Sequence, residues 1–211
     1  MIILFDFDGT IAISLEASII FFNEVAEDCG LPHIKAADLE KLKELSAREL
    51  LKKYPLSPWN LLKLTKHIQG EISNHMEDIG INPEIKGVFI ELKKQGHTVG
   101  IVTSNTTKNV ELFLASHQIS IIDFIYSEKN LFGKGKVLNN LIKKRLFKKS
   151  EVLYVGDEVR DIDAAKNAAV KVIAVDWGFN SEERLRKAQP DFLISKPREI
   201  LGVISELSST N

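Results

Sequence analysis

Two aspartates, Asp6 and Asp8, directly follow a continuous apolar run near the start of the chain. Such a run is typical of a strand covered on both faces in a parallel sheet, where ligands bind beyond the carboxyl ends of the strands. Residues two apart on a strand point the same way, so both carboxylates can reach one cleft. With Gly9 behind them, the same residues also suit a capped turn, and this stretch alone leaves both interpretations open.

Three later segments carry groups that suit a phosphate. Thr103-Ser104-Asn105 ends an apolar run with hydroxyl and amide donors. Lys134 precedes a predicted helix, where its ammonium and free backbone N–H groups would face an anion. Three further carboxylates, Asp157, Glu158 and Asp161, follow another apolar run.

Strand ends in a parallel sheet share one rim, so these groups are expected to meet. The expected rim carries Asp6, Asp8, Thr103, Lys134, Asp157 and Asp161. So many carboxylates need a compensating charge, which implies a hard divalent cation. A few oxygen ligands plus water is the usual environment of magnesium beside phosphate, and Mg2+ is therefore the predicted cofactor.

The elements that must position these groups alternate between strands and helices after residue 83. Strands are predicted at residues 98–103, 121–126, 152–155 and 172–175, with helices between them. Alternation of this kind predicts crossover units and a parallel sheet that includes the first apolar run. The predicted fold class is α/β, a Rossmann-like parallel sheet flanked by helices.

Residues 13–83 show only helical periodicity, interrupted by prolines. Ser14 is the predicted N-cap of the first helix. We therefore predict an α/β core of residues 1–12 and 84–211, with an inserted all-helical domain at residues 13–83.

Length and composition exclude several classes of protein. The 211 residues, 44% of them hydrophobic, predict one globular domain or one domain with an insertion. The net charge of -1 argues against a nucleic-acid partner. A lone Cys29 without a Cys/His cluster excludes a structural zinc site and favours a reducing compartment. The first apolar run is too short for a signal peptide or a membrane span, so we expect a cytoplasmic protein with no membrane partner. The sequence carries no signal for an oligomeric state.

Taken as an ordered set, these segments resemble the four motifs of the haloacid dehalogenase superfamily of phosphohydrolases. The resemblance is carried by Asp6-Phe7-Asp8-Gly9-Thr10, Thr103-Ser104-Asn105, Phe132-Gly133-Lys134 and Gly156-Asp157-Glu158 with Asp161. Residues 175–181 and 190–192, with Pro197, are similar to the tail of phosphoglycolate phosphatases and their pyrophosphatase relatives. The helical insertion falls where that branch carries its cap domain. Ile13 departs from the pattern, because relatives often have an acidic residue there.

The resemblance implies a mechanism and a role for each motif. Asp6 would attack the phosphorus and form an aspartyl-phosphate, while Asp8 would protonate the leaving group and then deprotonate water. Thr103 and Lys134, with Ser104 and Asn105 beside them, would bind the substrate phosphate.

The resemblance also implies how the metal is held. The Asp6 carboxylate, the backbone carbonyl of Asp8 and Asp157 would be ligands. Glu158 and Asp161 would hold metal-bound waters or orient Lys134.

In the inserted domain, residues 45–49 are similar to the specificity segment of the phosphoglycolate branch. Arg48 there could bind a substrate carboxylate or a second phosphate, or it could be a solvated charge on a helix face.

The function predicted from these observations is hydrolysis of a small phosphomonoester, such as phosphoglycolate, by a magnesium-dependent phosphatase. A sugar-phosphate mutase of the same superfamily is one alternative. A non-enzymatic phospho-accepting signalling module is another, although its accepting aspartate lies on a middle strand rather than the first.

Overall fold

The computed structural model describes residues 1–45, 47–54, 56–128 and 133–209, with side chains for all of these except Ala47 and Arg48. The strands of the described chain are β1 (Ile2–Phe5), β2 (Thr98–Thr103), β3 (Phe124–Ser127), β4 (Val152–Gly156), β5 (Lys171–Val175) and β6 (Phe192–Ile194). They pair in parallel in the order β3-β2-β1-β4-β5-β6. The predicted parallel α/β sheet is confirmed, and β6 adds a strand at one edge.

Helices connect the strands and form most of the segment between β1 and β2. They are α1 (Ser14–Ala26), α2 (Leu39–Lys43), α3 (Ala47–Lys53), α4 (Pro58–Asn74), α5 (Ile85–Lys94), α6 (Thr107–Ser116), α7 (Lys134–Arg145), α8 (Val159–Ala168), α9 (Glu182–Lys187) and α10 (Glu199–Ser209). Among the described helices, none combines the length and apolarity that crossing a membrane requires. The predicted N-cap at Ser14 is wrong by one residue, because Ile13 holds that position and Ser14 is already helical.

Strand β1 lies at the centre of the sheet, and both of its faces are buried. Ile3 and Phe5 face one apolar cluster, while Ile2 and Leu4 face the other. On the first face the ring of Phe5 packs edge-on against Phe89 of α5, with centroids 5.0 Å apart. Burying a side chain of this size stabilises the fold by about 1.5–3 kcal/mol, so the strand is a rigid support for the residue that follows it.

The register of the sheet brings three strand ends to one rim. Phe5 at the end of β1 pairs with Ile101 of β2 and Val155 of β4. Since the strands are parallel, the residues just beyond these pairs meet at the same edge. Asp6, Thr103 and Asp157 are those residues.

Helices α1 and α4 enclose a small apolar cluster of their own. Its buried members are Val25, Ala26, Cys29, Leu31 and Leu64. The chain enters and leaves this region through two adjacent extended segments, where Ala12 forms an antiparallel bridge with Ile81. These features favour the predicted inserted domain of residues 13–83, which stays a prediction.

Candidate active site

Asp6 and Lys134 form a buried ion pair at the rim. Asp6 follows β1, and its backbone N–H donates to the carbonyl of Val155 at 2.8 Å. Lys134 is the first residue of α7. Its Nζ lies 2.6 Å from Oδ2 of Asp6 and also contacts Oδ1 of Asp161. The first, third and fourth motifs predicted from the sequence therefore meet at one ammonium group.

Burial and charge act in opposite directions on this pair. Burial raises the pKa of Asp6 from 3.8 to about 7, against the lowering effect of the Lys134 charge. Burial alone would lower the pKa of Lys134, but the charges of Asp161 and Asp6 raise it well above its usual value. The lysine is therefore a permanent cation, while the charge of Asp6 depends on what else occupies the site.

A compact acidic cluster surrounds this pair. One carboxylate oxygen from each of Asp6, Asp157 and Asp161 lies within 4.8 Å of the other two. Asp157 is completely buried. Its Oδ1 accepts a hydrogen bond from the hydroxyl of Thr10 at 2.7 Å, and its Oδ2 accepts one from the backbone N–H of Phe179 at 2.7 Å. The second lone pairs of both oxygens are left for another partner.

The donor set of this cluster fits a hard divalent cation. Burial, followed by the charges of Glu158 and Asp161, raises the pKa of Asp157 well above its usual value. Buried anionic oxygens are unfavourable without compensation, and the two cations nearby, Lys134 and Arg160, are fewer than the carboxyl groups that they face. An oxygen-liganded cation such as Mg2+ would supply the rest.

Asp8 lies in the turn after Asp6, where Gly9 has a φ of +79°. Its Oδ2 accepts a hydrogen bond from Nδ2 of Asn105 at 3.3 Å. Asn105 is held in turn, because its side-chain oxygen accepts from Asn109 at 2.9 Å. Burial raises the pKa of Asp8 by more than the Asn105 hydrogen bond lowers it. Asp8 is thus suited to carry a proton, as a general acid must.

Thr103 and Ser104 line a cleft beside this pair. Oγ1 of Thr103 accepts the backbone N–H of Asn105 at 2.9 Å, which leaves its own hydroxyl hydrogen free to donate. Ser104, Lys134 and Arg160 lie along the same cleft, which the acidic residue Glu128 also lines. The cleft therefore combines hydroxyl donors with two cations, which suits a phosphate group.

Asp161 and Glu158 have different surroundings. Asp161 contacts Lys134, and its Oδ2 accepts the backbone N–H of Glu158 at 3.0 Å. The side chain of Glu158 instead accepts from Nη2 of Arg160 at 2.6 Å. Asp161 therefore orients Lys134 within the acidic cluster, whereas Glu158 lies outside the group of three.

Two residues predicted from the sequence lie outside this description. The structure does not describe the side chain of Arg48, and it does not describe Phe132 of the third motif. Sequence reasoning also missed two contributors, Arg160 and Gly178. Gly178 belongs to the tail segment that resembles phosphoglycolate phosphatases, and that resemblance was the available signal.

The helical segment between β1 and β2 contacts the loop next to the acidic cluster. The backbone N–H of Ser181 donates to the carbonyl of Lys43 at 3.3 Å. Nη1 of Arg184 donates to the carbonyl of Glu44 at 2.5 Å. These contacts place the end of α2 next to the loop between Phe179 and α9. Phe179 is the residue whose N–H donates to Asp157.

The raised carboxyl pKa values predict how stability depends on pH. Between pH 3.8 and about 7 the folded protein keeps a proton on Asp6 that the unfolded chain loses. The free energy of unfolding should therefore fall as pH rises through this range, by on the order of a few kcal/mol. Urea unfolding in EDTA at pH 5.5 and 7.5 measures the difference. The fall should be smaller in Asp6→Asn and in saturating Mg2+; equal falls in all three samples would contradict the interpretation.

Gly178 leaves no room for a side chain. A Cβ at this position would overlap the carboxyl group of Asp157. We expect Gly178→Ala to lower activity at least tenfold and to destabilise the protein by about 1–3 kcal/mol, the usual cost of overpacking. Gly87→Ala in α5 is the matched control, because its Cβ would enter open space. The control should keep full activity, and equal activities of the two variants would contradict the prediction.

Comparison with known proteins agrees with this geometry. Residues 3–175 match the profile of haloacid dehalogenase-like hydrolases. A phosphoglycolate phosphatase of Synechococcus elongatus is 30% identical over 206 residues, which cover 97% of each chain. The pyrophosphatase PpaX of Bacillus cereus is 27% identical, over 98% of this chain and 97% of that protein.

The fold matches solved structures as well. The crystal structure of a predicted phosphatase from Clostridium acetobutylicum superimposes with a TM-score of 0.82 at 20% identity, over 97% of each chain. The profile match covers most of the chain, and the cyanobacterial relative covers nearly all of it. The chain therefore belongs to the haloacid dehalogenase-like hydrolases, as a phosphatase of the branch that resembles phosphoglycolate phosphatases.

Proposed function

We propose that this phosphatase hydrolyses a small phosphomonoester, with phosphoglycolate as the leading candidate, and that it depends on Mg2+. The proposal depends above all on one observation. Asp6 is held at the end of the central strand with Asp157, Asp161 and Lys134 around it. That arrangement suits a carboxylate nucleophile next to a phosphate and a cation.

In the first half of the reaction, the Asp6 carboxylate attacks the phosphorus of the bound ester. A P–O bond forms to Asp6 and the bond to the leaving oxygen breaks, while Asp8 gives its proton to that oxygen. The raised pKa of Asp8 supports this role, because the residue must start protonated. The product is an aspartyl-phosphate and a free alcohol.

In the second half, water attacks the phosphorus of the aspartyl-phosphate. Asp8, now a carboxylate, accepts a proton from the water, and the bond to Asp6 breaks. Inorganic phosphate leaves and both carboxyl groups return to their starting states. The hydroxyl of Thr103 and the ammonium of Lys134 hold the transferring oxygens throughout, with Ser104 and Asn105 beside them.

Asp6, Asp157 and the backbone carbonyl of Asp8 would hold the metal, and Asp161 would keep Lys134 in position. When bound, Mg2+ would neutralise part of the charge on the phosphate and the carboxylates. The acidic cluster supports this assignment. Glu158 is the weaker candidate for a metal-bound water, because Arg160 occupies its carboxylate.

We further propose that residues 13–83 form a cap domain over the site and that Arg48 there contacts the substrate. Two features support a cap. Helices α1 and α4 have an apolar cluster of their own, and the chain enters and leaves this region at adjacent points, where Ala12 pairs with Ile81. Closure of a cap excludes water and sets selectivity for the leaving group. Phosphoglycolate is favoured because a named relative that spans nearly the whole chain is a phosphoglycolate phosphatase.

Phosphate release from a panel of substrates tests the proposal. The panel contains phosphoglycolate, pyrophosphate, p-nitrophenyl phosphate and several sugar phosphates, each with saturating Mg2+ and with EDTA. We expect turnover only with Mg2+ and the highest kcat/KM for phosphoglycolate. A higher kcat/KM for pyrophosphate than for phosphoglycolate would overturn the proposed substrate. Isomerisation of a sugar phosphate without release of phosphate would indicate a mutase. No turnover of any compound would overturn the proposal.

A further inference from the structure

Arg160 is a cation of the cleft that the mechanism above does not use. It is the second residue of α8. Its side chain is 36% exposed and lines the cleft together with Thr103, Ser104 and Lys134. Arg160 therefore lies beside the cleft in which a phosphate would bind, next to the donors already assigned to that phosphate; Glu128 lines the same cleft.

The hydrogen bonds of Arg160 are incomplete. Nη2 donates to Oε1 of Glu158 at 2.6 Å. Nε is buried and has no hydrogen-bond partner in the part of the chain that the structure describes. A buried N–H without an acceptor is unfavourable, and a turn of the guanidinium group toward an anionic oxygen in the cleft would remove that cost. The unsatisfied donor thus favours a ligand over a purely structural role.

Lys134 and Arg160 differ in how much of their charge is already compensated. Two carboxylates, Asp6 and Asp161, contact the ammonium of Lys134. Arg160 has one carboxylate partner, Glu158, on one side of its planar fork. The rest of a guanidinium fork matches the spacing of two phosphate oxygens, which a lysine cannot match.

We propose that Arg160 is a substrate-binding residue, whose guanidinium group turns toward the cleft and donates to the oxygens of the phosphate bound there. This inference rests on the proposed function for the identity of the anion. It assigns to Arg160 the binding of the phosphate itself, so its effect is the same for every phosphomonoester. Asp6 and Asp8 keep the chemical step.

A purely structural role would consist of neutralising Glu158. The two roles differ in what they affect. Loss of a neutralising charge beside the acidic cluster would change the affinity for Mg2+, whereas loss of a phosphate donor would change the affinity for the anion. Binding of each ion can be measured separately and without turnover.

The experiment measures inorganic phosphate binding to the full chain by calorimetry in saturating Mg2+. For Arg160→Ala we expect the Kd for phosphate to rise about 10- to 100-fold, the effect of losing a hydrogen bond to a charged group. The KM for p-nitrophenyl phosphate should rise by a similar factor with kcat changed much less. Arg160→Lys should recover part of the loss, since it restores the charge without the fork.

Arg198→Ala is the matched control, because it removes one arginine from an exposed ion pair with Glu84 outside the cleft. Its phosphate Kd should equal that of the wild type. An unchanged phosphate Kd in Arg160→Ala, with or without a changed Mg2+ affinity, would overturn the proposal. If that variant does not fold, the same measurement is made on Arg160→Ala in a Glu158→Gln background, compared with Glu158→Gln alone.

Phosphate binding also separates this inference from the proposed function. A wild-type protein that binds phosphate but hydrolyses none of the panel would overturn the proposed function. The role of Arg160 would still be decided by comparing the phosphate Kd of Arg160→Ala with that of the wild type. A wild-type protein that hydrolyses esters while Arg160→Ala binds phosphate normally would overturn only the role of Arg160.

Discussion

Asp6→Asn should abolish phosphate release, with kcat lowered on the order of 10⁴-fold or more, as expected when a covalent nucleophile is removed. The amide has nearly the same shape as the carboxylate, so the packing at the end of β1 is kept. It cannot form an acyl phosphate by the same attack. Released phosphate over long incubations measures the residual rate, and labelling of the quenched protein by a radioactive phosphomonoester measures the intermediate.

The variant should remain folded, and thermal unfolding in EDTA checks this. Asp6 is buried and burial raises the pKa of its carboxyl group, so a neutral side chain is tolerated there. Asp8→Asn gives the useful contrast. It should still become labelled with an activated ester such as p-nitrophenyl phosphate, whose leaving group needs no proton, and then turn over slowly. If the activity of Asp6→Asn were within tenfold of that of the wild type, Asp6 could not be the nucleophile.

Lys134→Ala should lower both activity and stability. The ammonium contacts Asp6 and Asp161, so its removal leaves two buried carboxylates without their partner. Breaking a buried ion pair in this way costs about 3–5 kcal/mol. We also expect kcat to fall on the order of 10²–10³-fold, because a fixed donor to the transferring oxygens is lost.

The stability loss should itself depend on conditions. At pH 5 Asp6 already carries a proton, whereas at pH 8 it is a carboxylate that loses its partner, so the loss is larger at pH 8. Urea unfolding in EDTA at both values measures it. Lys136→Ala is the control, because Lys136 lies in the same helical turn and is exposed. Equal unfolding curves for Lys134→Ala and Lys136→Ala at pH 8 would show that the ion pairs do not form in solution.

Much of the scaffold could be predicted because the physical rules behind it are simple. The apolar run ending at Phe5 and the alternation after residue 83 predict a parallel sheet, and parallel strands bring their carboxyl ends to one rim. This alone brings Asp6, Thr103 and Asp157 together. The start of β3, at Phe124 rather than at the predicted residue 121, and the strand β6 were harder to predict, since short, half-buried edge strands have weak patterns.

The division of work between Glu158 and Asp161 could not be predicted. Glu158 has an extended backbone just before α8, whereas Asp161 lies in the first turn of that helix. The helix therefore turns one side chain toward Lys134 and leaves the other beside Arg160. The sequence contains the spacing of these residues, but the direction of each side chain depends on where the helix begins.

Arg160 was missed for a related reason. An arginine near a helix start is usually a solvated surface charge, and although Arg160 lies inside the fourth motif, no role was assigned to it there. Arg160 lines the cleft because α8 lies close to the end of β2, which carries Thr103, and to the start of α7, which carries Lys134. These contacts are distant in sequence, so the sequence pattern does not show them.

Only residues 179–181 separate a contact with the acidic cluster from a contact with the helices between β1 and β2. Phe179 donates its N–H to Asp157, and Ser181, two positions later, donates its N–H to Lys43. A stretch of chain this brief spans only about 7 Å, so it cannot absorb a large displacement at one end without moving the other. If Asp157 holds Mg2+ as proposed, deuterium uptake at these two amides should change together, both on metal binding and on movement of the helices between β1 and β2.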